Sequence, residues 1–289
     1  MKTSTIKNNF LTVVIDKRGA ELASIRGVDG TEYLWQGNPE FWAGRAYNLF
    51  PIVGRLYKAE YLWQGKKYDM GLHGFARKMP FTVVKKAKSS VTMLLTETEE
   101  TLKVYPFAFR FYITFSLRGN KLTVAYKIEN PGDGVLPCSV GGHPGFNVPL
   151  VNGETFEQYK VTFPRGSKPM LHLMSENVLV TGKTKKLKLT NKSLALRHDL
   201  FDNDALVLSG TKGVTLIGPK GKGVAMEMQN MPYIGIWHAN KKPAPYVCLE
   251  PWASLPSDEG VTDDFATKKD FKQLASGETY TLGFTMKFF

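Results

Sequence analysis

Four residues stand where chemistry is possible: His143, Glu250, Arg55 and His73. Gly141-Gly142-His143-Pro144-Gly145-Phe146-Asn147 surrounds one imidazole with three glycines and a proline. Glycine loses backbone entropy in a helix and proline removes a donor, so the segment reads as a turn. The strand-like runs Leu122 to Ile128 and Tyr159 to Phe163 would hold that turn at a sheet rim, where side chains can meet a ligand. Cys248-Leu249-Glu250-Pro251-Trp252 puts a carboxylate at the end of an apolar strand that the proline stops. A carboxylate among apolar neighbours is costly to ionise, which raises its pKa toward that of a useful base. Arg55 follows Pro51-Ile52-Val53-Gly54, and His73 precedes Gly74. Taken singly, each has a plain alternative: a satisfied loop histidine, a surface ion-pair arginine, a turn residue. A histidine and a glutamate together can supply the acid and base of a proton-transfer reaction.

The elements that must position these groups are strands. Phe10 to Asp16 and Gly19 to Arg26 read as a hairpin, as do Tyr61 to Trp63 and Lys67 to Met70 around Gln64-Gly65-Lys66. Phe81 to Lys85 pairs with Val91 to Thr96. Phe109 to Leu117 and Lys121 to Ile128 alternate across Arg118-Gly119-Asn120 and form the clearest hairpin. Val214 to Ile217, Val224 to Met228, Tyr233 to Trp237, Tyr246 to Leu249 and Tyr280 to Phe288 continue the pattern with β-branched and aromatic residues. One short amphipathic helix is expected over Asp263 to Leu274, capped by Asp263 or Asp264. Without repeats or a low-complexity linker, residues 1–289 are expected to form a single all-β domain, a large twisted sandwich curved enough to make a groove.

Composition narrows the function. Hydrophobic residues make up 43% and charged residues 22% of the chain, ordinary values for a globular protein. The net charge of +12 raises nucleic-acid binding. Its lysine runs are scattered, lack interleaved aromatics and accompany no nucleic-acid-binding motif, so solvated surface is the expectation. Gly218-Pro219-Lys220-Gly221-Lys222-Gly223 fits neither phosphate-binding glycine pattern. No serine occupies a nucleophile elbow, and the five histidines lack the spacing of a helical metal site. Cys138 and Cys248 show no paired spacing and read as reduced and buried. No signal peptide and no run of about 18 apolar residues is seen, so a cytoplasmic location away from the membrane is expected.

In order, five segments resemble the aldose 1-epimerase (galactose mutarotase) family. They are Asn48-Leu49-Phe50-Pro51-Ile52-Val53-Gly54-Arg55-Leu56, Gly71 to Arg77, Gly142 to Asn147, Asp202 to Leu206, and Gly235-Ile236-Trp237 leading into Cys248 to Trp252. The spelling is most similar to the bacterial branch associated with lactose-utilisation operons. The resemblance implies an antiparallel β-supersandwich with few short helices, no cofactor, and interconversion of the α and β anomers of a free hexose. It implies Glu250 as the base on the anomeric hydroxyl and His143 as the acid on the ring oxygen. His73 and Arg55 would hold the ring-oxygen side, and Trp237 would offer an apolar face to the sugar. Asp204 matches the hydroxyl-binding aspartate, with Asp202 close enough to leave the choice open.

Three rivals remain at this stage. Arg77, Arg45 and Lys58 leave room for a hexose 6-phosphate, which would need two or three converging basic side chains. A non-catalytic sugar binder would keep the groove without turnover, and a nucleic-acid binder rests on net charge alone. Monomer and homodimer are both open.

Overall fold

The computed structural model describes residues 3–289. Its strands form a nine-stranded and a seven-stranded antiparallel sheet, with a three-stranded sheet of Thr3–Lys7, Leu11–Asp16 and Leu22–Gly27 beside them. The hairpin of Arg110–Arg118 and Lys121–Glu129 shows why the pattern folds this way. Phe111, Ile113, Phe115 and Leu117 face Leu122, Val124, Tyr126 and Ile128 in one register, and all eight are buried on one side. Burying each such side chain contributes roughly 1.5–3 kcal/mol, and a slip of one residue would turn the whole set to solvent.

In the seven-stranded sheet the order is Val180–Lys186, Met170–Met174, Leu206–Ser209, Tyr233–Trp237, Tyr246–Trp252, Gly141–Asn147 and Ala46–Leu49. It packs against the nine-stranded sheet through Gly142, where a Cβ would lie 2.7 Å from the Phe284 ring. Tyr126 of the nine-stranded sheet donates its hydroxyl to Asn48 Oδ1 at 2.8 Å. The Asn48 amide in turn donates to the carbonyls of Gly19 and Ala20, tying the N-terminal hairpin to the same core. Beneath lies an aromatic cluster in which Phe50 stacks on Phe111 at 4.6 Å.

The expected all-β architecture and the four hairpins are present. Three local expectations are corrected. His143 is not on a turn: it lies within the strand Gly141–Asn147, and the runs expected to flank it belong to the nine-stranded sheet. The strand holding Glu250 does not stop at Pro251 but continues to Trp252. No helix spans Asp263 to Leu274. There the backbone of Asp263 and Phe265 bonds to Leu62, Phe265 stacks on Tyr61 at 3.6 Å, and Asp270 takes a left-handed φ of 62°. Tertiary pairing thus takes the groups a helix would need. The α-helix that does form, Glu99–Val104, was not anticipated, although Thr98 and Thr101 cap it reciprocally.

Candidate active site

The two strands that carry His143 and Glu250 are neighbours. Gly141 pairs with Trp252 and Gly145 with Cys248, and that register sets His143 opposite Glu250. Pro144 and Pro251 remove two backbone donors from the stretch between, where the ladder is interrupted. Because Gly142 faces the sheet interface, His143 projects the other way, toward the outer face. There His143 Nε2 stands 3.2 Å from Glu250 Oε2. Both side chains are buried, Glu250 with 2% and His143 with 7% of its surface exposed. Gly145 leaves space for aromatic neighbours, since a Cβ would lie 3.1 Å from Trp42 and 3.3 Å from the Cys248 sulfur.

Above the pair is a cavity of about 250 Å³. Arg55, His73, His143, Asp204, Trp237 and Glu250 all line it, so the six candidates converge. Asp202 lines the adjoining cavity instead, which places Asp204 and not Asp202 beside Glu250. Trp42, Tyr47, Arg77 and Trp252 also line the first cavity; of these the sequence offers only Arg77, as a candidate for a sugar phosphate. Trp42 stacks on the His143 imidazole at 4.8 Å, while Trp237 meets it edge-on at 5.5 Å. An aromatic in a loop bounded by Asn38-Pro39 and Gly44 was the available signal for Trp42. Neither periodicity nor spacing could say that this loop closes over the site.

His73 is held by its own turn. Its backbone N–H donates to the Gly54 carbonyl at 2.8 Å, and its Nδ1 accepts the Gly54 N–H at 3.0 Å. A neutral ring that accepts at Nδ1 carries its proton on Nε2, so His73 offers a donor. His73 and Gly74 both take left-handed φ, 62° and 68°, which turns the chain back beneath Phe50.

Electrostatics follow from burial. Desolvation, reinforced by the Asp204 charge, pushes Glu250 well above the usual carboxylate range, with a smaller opposing pull from the Trp252 indole. That indole Nε1 is buried without a full hydrogen bond. Burial also lowers His143 to about 3, with the Arg77 charge acting in the same sense. His73 is held well below 6.5 by burial and by the charges of His143, Arg77 and Arg55. Both shifts act against charge, so they favour a neutral carboxyl on Glu250 beside a neutral imidazole on His143. Cys248 adds a sulfur within 4.8 Å of the His143 and Glu250 ligand atoms. Its thiol is pushed well above its ordinary value, first by burial and then by the Glu250 charge.

Behind Trp237, His238 is fully buried. Its Nδ1–H donates to the Ala239 carbonyl at 2.8 Å, which leaves Nε2 to accept from His198 Nδ1 at 3.0 Å. Burial, with a smaller push from His198, lowers His238 to about 4. A depressed histidine contributes stability above the unfolded value near 6.5, and that contribution is lost as pH falls through the folded value. Between pH 6.5 and 4, the stability of His238→Gln should therefore fall less steeply than that of the parent in urea titrations. Equal slopes would contradict this.

A model of the aldose 1-epimerase family matches residues 2–287. The chromosomal protein LacX of Lactococcus lactis subsp. lactis is 36% identical over 264 residues, covering 88% of each chain. A galactose mutarotase related enzyme from Lactobacillus acidophilus superposes with a TM-score of 0.94 at 35% identity, covering 100% of this chain and 97% of that one. A galactose mutarotase-like protein from Lactobacillus casei gives 0.94 at 31% identity, with both chains fully covered. The fold is thus the galactose mutarotase-like β-sandwich, and the chain belongs to the aldose 1-epimerase family.

Proposed function

We propose that this chain interconverts the α and β anomers of an unphosphorylated hexose. The observation that carries the reading is the His143–Glu250 pair, 3.2 Å apart and lining one cavity. The two oxygens of a hemiacetal share one carbon, so two adjacent groups can serve both. In the productive form Glu250 is the carboxylate and His143 the imidazolium. Glu250 takes the proton from O1, the C1–O5 bond breaks as C1=O1 forms, and His143 delivers its proton to O5. Rotation about C1–C2 then presents the other face, and the same steps run backward. The pair carries one proton before and after opening; burial favours that proton on Glu250, so the productive form requires its transfer to His143 across the 3.2 Å contact.

Around this centre, the His73 Nε2–H and the Arg55 guanidinium are donors for ring-side oxygens, and Asp204 accepts from a hydroxyl. Trp237 and Trp42 provide apolar faces for the C–H side of the ring. A phosphorylated sugar would call for two or three converging basic side chains free to meet the phosphate. Arg55 and Arg77 line the cavity, but Arg45 and Lys58 do not. Arg77 also donates to the Leu72 carbonyl at 3.3 Å and lies over the Tyr47 ring.

Polarimetry of freshly dissolved α-glucose, α-galactose and glucose 6-phosphate tests the reading. Acceleration with the free sugars and little with the phosphate is expected. A clear preference for the phosphate, or binding without acceleration, would overturn it. The pH profile carries a further expectation. Activity needs one proton on the pair, so the alkaline limb marks its loss. Asp204→Asn removes the like charge that raises Glu250, so that limb should move to lower pH in kcat/KM. An unmoved or upward-shifted limb would contradict this electrostatic role.

A further inference from the structure

In the productive form His143 carries a proton on each ring nitrogen, and the Glu250 carboxylate favours that charge from one side only. On the other side Nδ1 is buried without a full hydrogen bond. Burial removes the water that would solvate an imidazolium, and the Arg77 charge opposes it through space. What the imidazole does meet is an indole: Trp42 stacks on it with ring centroids 4.8 Å apart and planes 29° from parallel. We infer that Trp42 is a positioning residue for the proton pair, its indole face fixing the His143 ring and stabilising that ring as the imidazolium. The catalytic consequence rests on the sugar reading of the cavity, while the contact itself does not.

The attraction of a cation to an aromatic face acts within roughly 6 Å of the ring centroid, is strongest for tryptophan and grows where water is excluded. Trp42 over the buried His143 meets all three conditions. The other rings around the imidazole stand across it, Trp237 at 82°, His73 at 88° and Tyr47 at 68°. The indole is itself held in place. Its backbone carbonyl accepts the Trp35 Nε1–H at 2.8 Å, and its backbone N–H donates to the Asn38 carbonyl at 2.9 Å. Gly44 and Gly145 make room for the ring, since a Cβ would lie 2.7 Å from it at the first and 3.1 Å at the second. Tyr47 and Trp237 cross it at 85° and 86°. An indole so confined keeps the His143 ring directed at Glu250.

The proton step is internal to the pair. The Glu250 carboxyl gives up its O–H proton, His143 Nε2 gains it across 3.2 Å, and a carboxylate and an imidazolium result with no change in total charge. Trp42 stabilises only the second state, so its loss lowers the share of the pair in that state and hence kcat. The effect has a signature in pH. Losing the pair's proton leaves a carboxylate and a neutral imidazole, to which Trp42 is indifferent. Gaining a second proton makes an imidazolium beside a neutral carboxyl, which Trp42 favours. Its removal therefore moves the acid limb of the kcat profile to lower pH and leaves the alkaline limb in place. The titratable and charged groups facing His143 are Glu250 and Cys248 on one neighbouring strand, Tyr47 on the other, and His73, Arg55, Arg77 and Asp204 around the cavity. Every Trp42 variant keeps them.

Trp42→Leu and Trp42→Phe test the inference, read by polarimetric kinetics and by carbon and nitrogen NMR of the His143 ring. In Trp42→Leu kcat should fall by about 10- to 30-fold. Trp42→Phe keeps a weaker aromatic face and should lose less, with the acid limb moving in the same order. As pH falls from neutrality, the His143 signals should turn toward imidazolium sooner in the parent than in Trp42→Leu, a readout that needs no turnover. If loss of the indole unfolds Trp42→Leu, Trp42→Phe carries the same comparisons. A raised KM with kcat and the acid limb unmoved, or equal His143 titrations, would overturn the inference. A difference in titration within a parent that accelerates no anomer exchange would keep the contact's role and overturn the catalytic reading instead.

Discussion

Glu250→Gln should lower the rate of mutarotation by about 10²- to 10⁴-fold, the usual contribution of a positioned acid or base, with the fold intact. Glutamine keeps the shape of the side chain and cannot take the O1 proton. At this position the exchange is unusually clean. Glu250 is 2% exposed and burial favours its neutral form, so the uncharged amide replaces a side chain of the same shape without introducing a charge. The melting temperature should hold or rise while polarimetric activity collapses. His143→Asn should have a comparable effect, because each group needs the other to complete one proton cycle. The double variant should therefore be little slower than the worse single one. Multiplying losses would mean that the two act independently.

Gly74→Ala should be the most damaging single-methyl change near the site. Gly74 has φ of 68°, and a Cβ there would lie 2.2 Å from the Phe50 carbonyl oxygen. That oxygen already accepts from the N–H groups of Phe75 and Ala76, so it cannot retreat without loosening both. Left-handed strain and the clash add to a loss on the order of 2–4 kcal/mol, read as a lower urea midpoint. Any relaxation must move His73, the preceding residue, and should raise KM in the folded fraction. A variant with the parent midpoint and KM would contradict this placement of the loop.

The alternating strands were legible because their inward and outward positions differ in chemistry along nine residues, as in Arg110–Arg118. The six site candidates were legible through short motifs, and they converge on one cavity. Position within the sheet was not. Gly141 to Asn147 reads locally as a turn, because glycine and proline punctuate chains. Here they serve packing: Gly142 admits Phe284, Gly145 admits Trp42, and Pro144 lies across from the Pro251 strand. Cross-strand register is a long-range property, so nothing local in the chain reveals that His143 stands opposite Glu250. Trp42 was invisible for the same reason, since its role depends on where a loop folds. Around Asp263, a plausible cap was outcompeted by backbone pairing with Leu62 and by Ser257 and Lys268, which both donate to the Asp263 carboxylate.

The central claim is that His143 and Glu250 open and close a hemiacetal by moving one proton between oxygens. Proton NMR of galactose at anomeric equilibrium in D₂O tests it most directly. Saturating the β anomeric H1 should diminish the α H1 signal at a rate proportional to parent protein, with H1 itself retained because no C–H bond breaks. The Glu250→Gln/His143→Asn double variant should give no transfer above the uncatalysed rate. Transfer by the double variant equal to the parent's, no transfer by the parent, or deuterium incorporated at C1 would contradict the account.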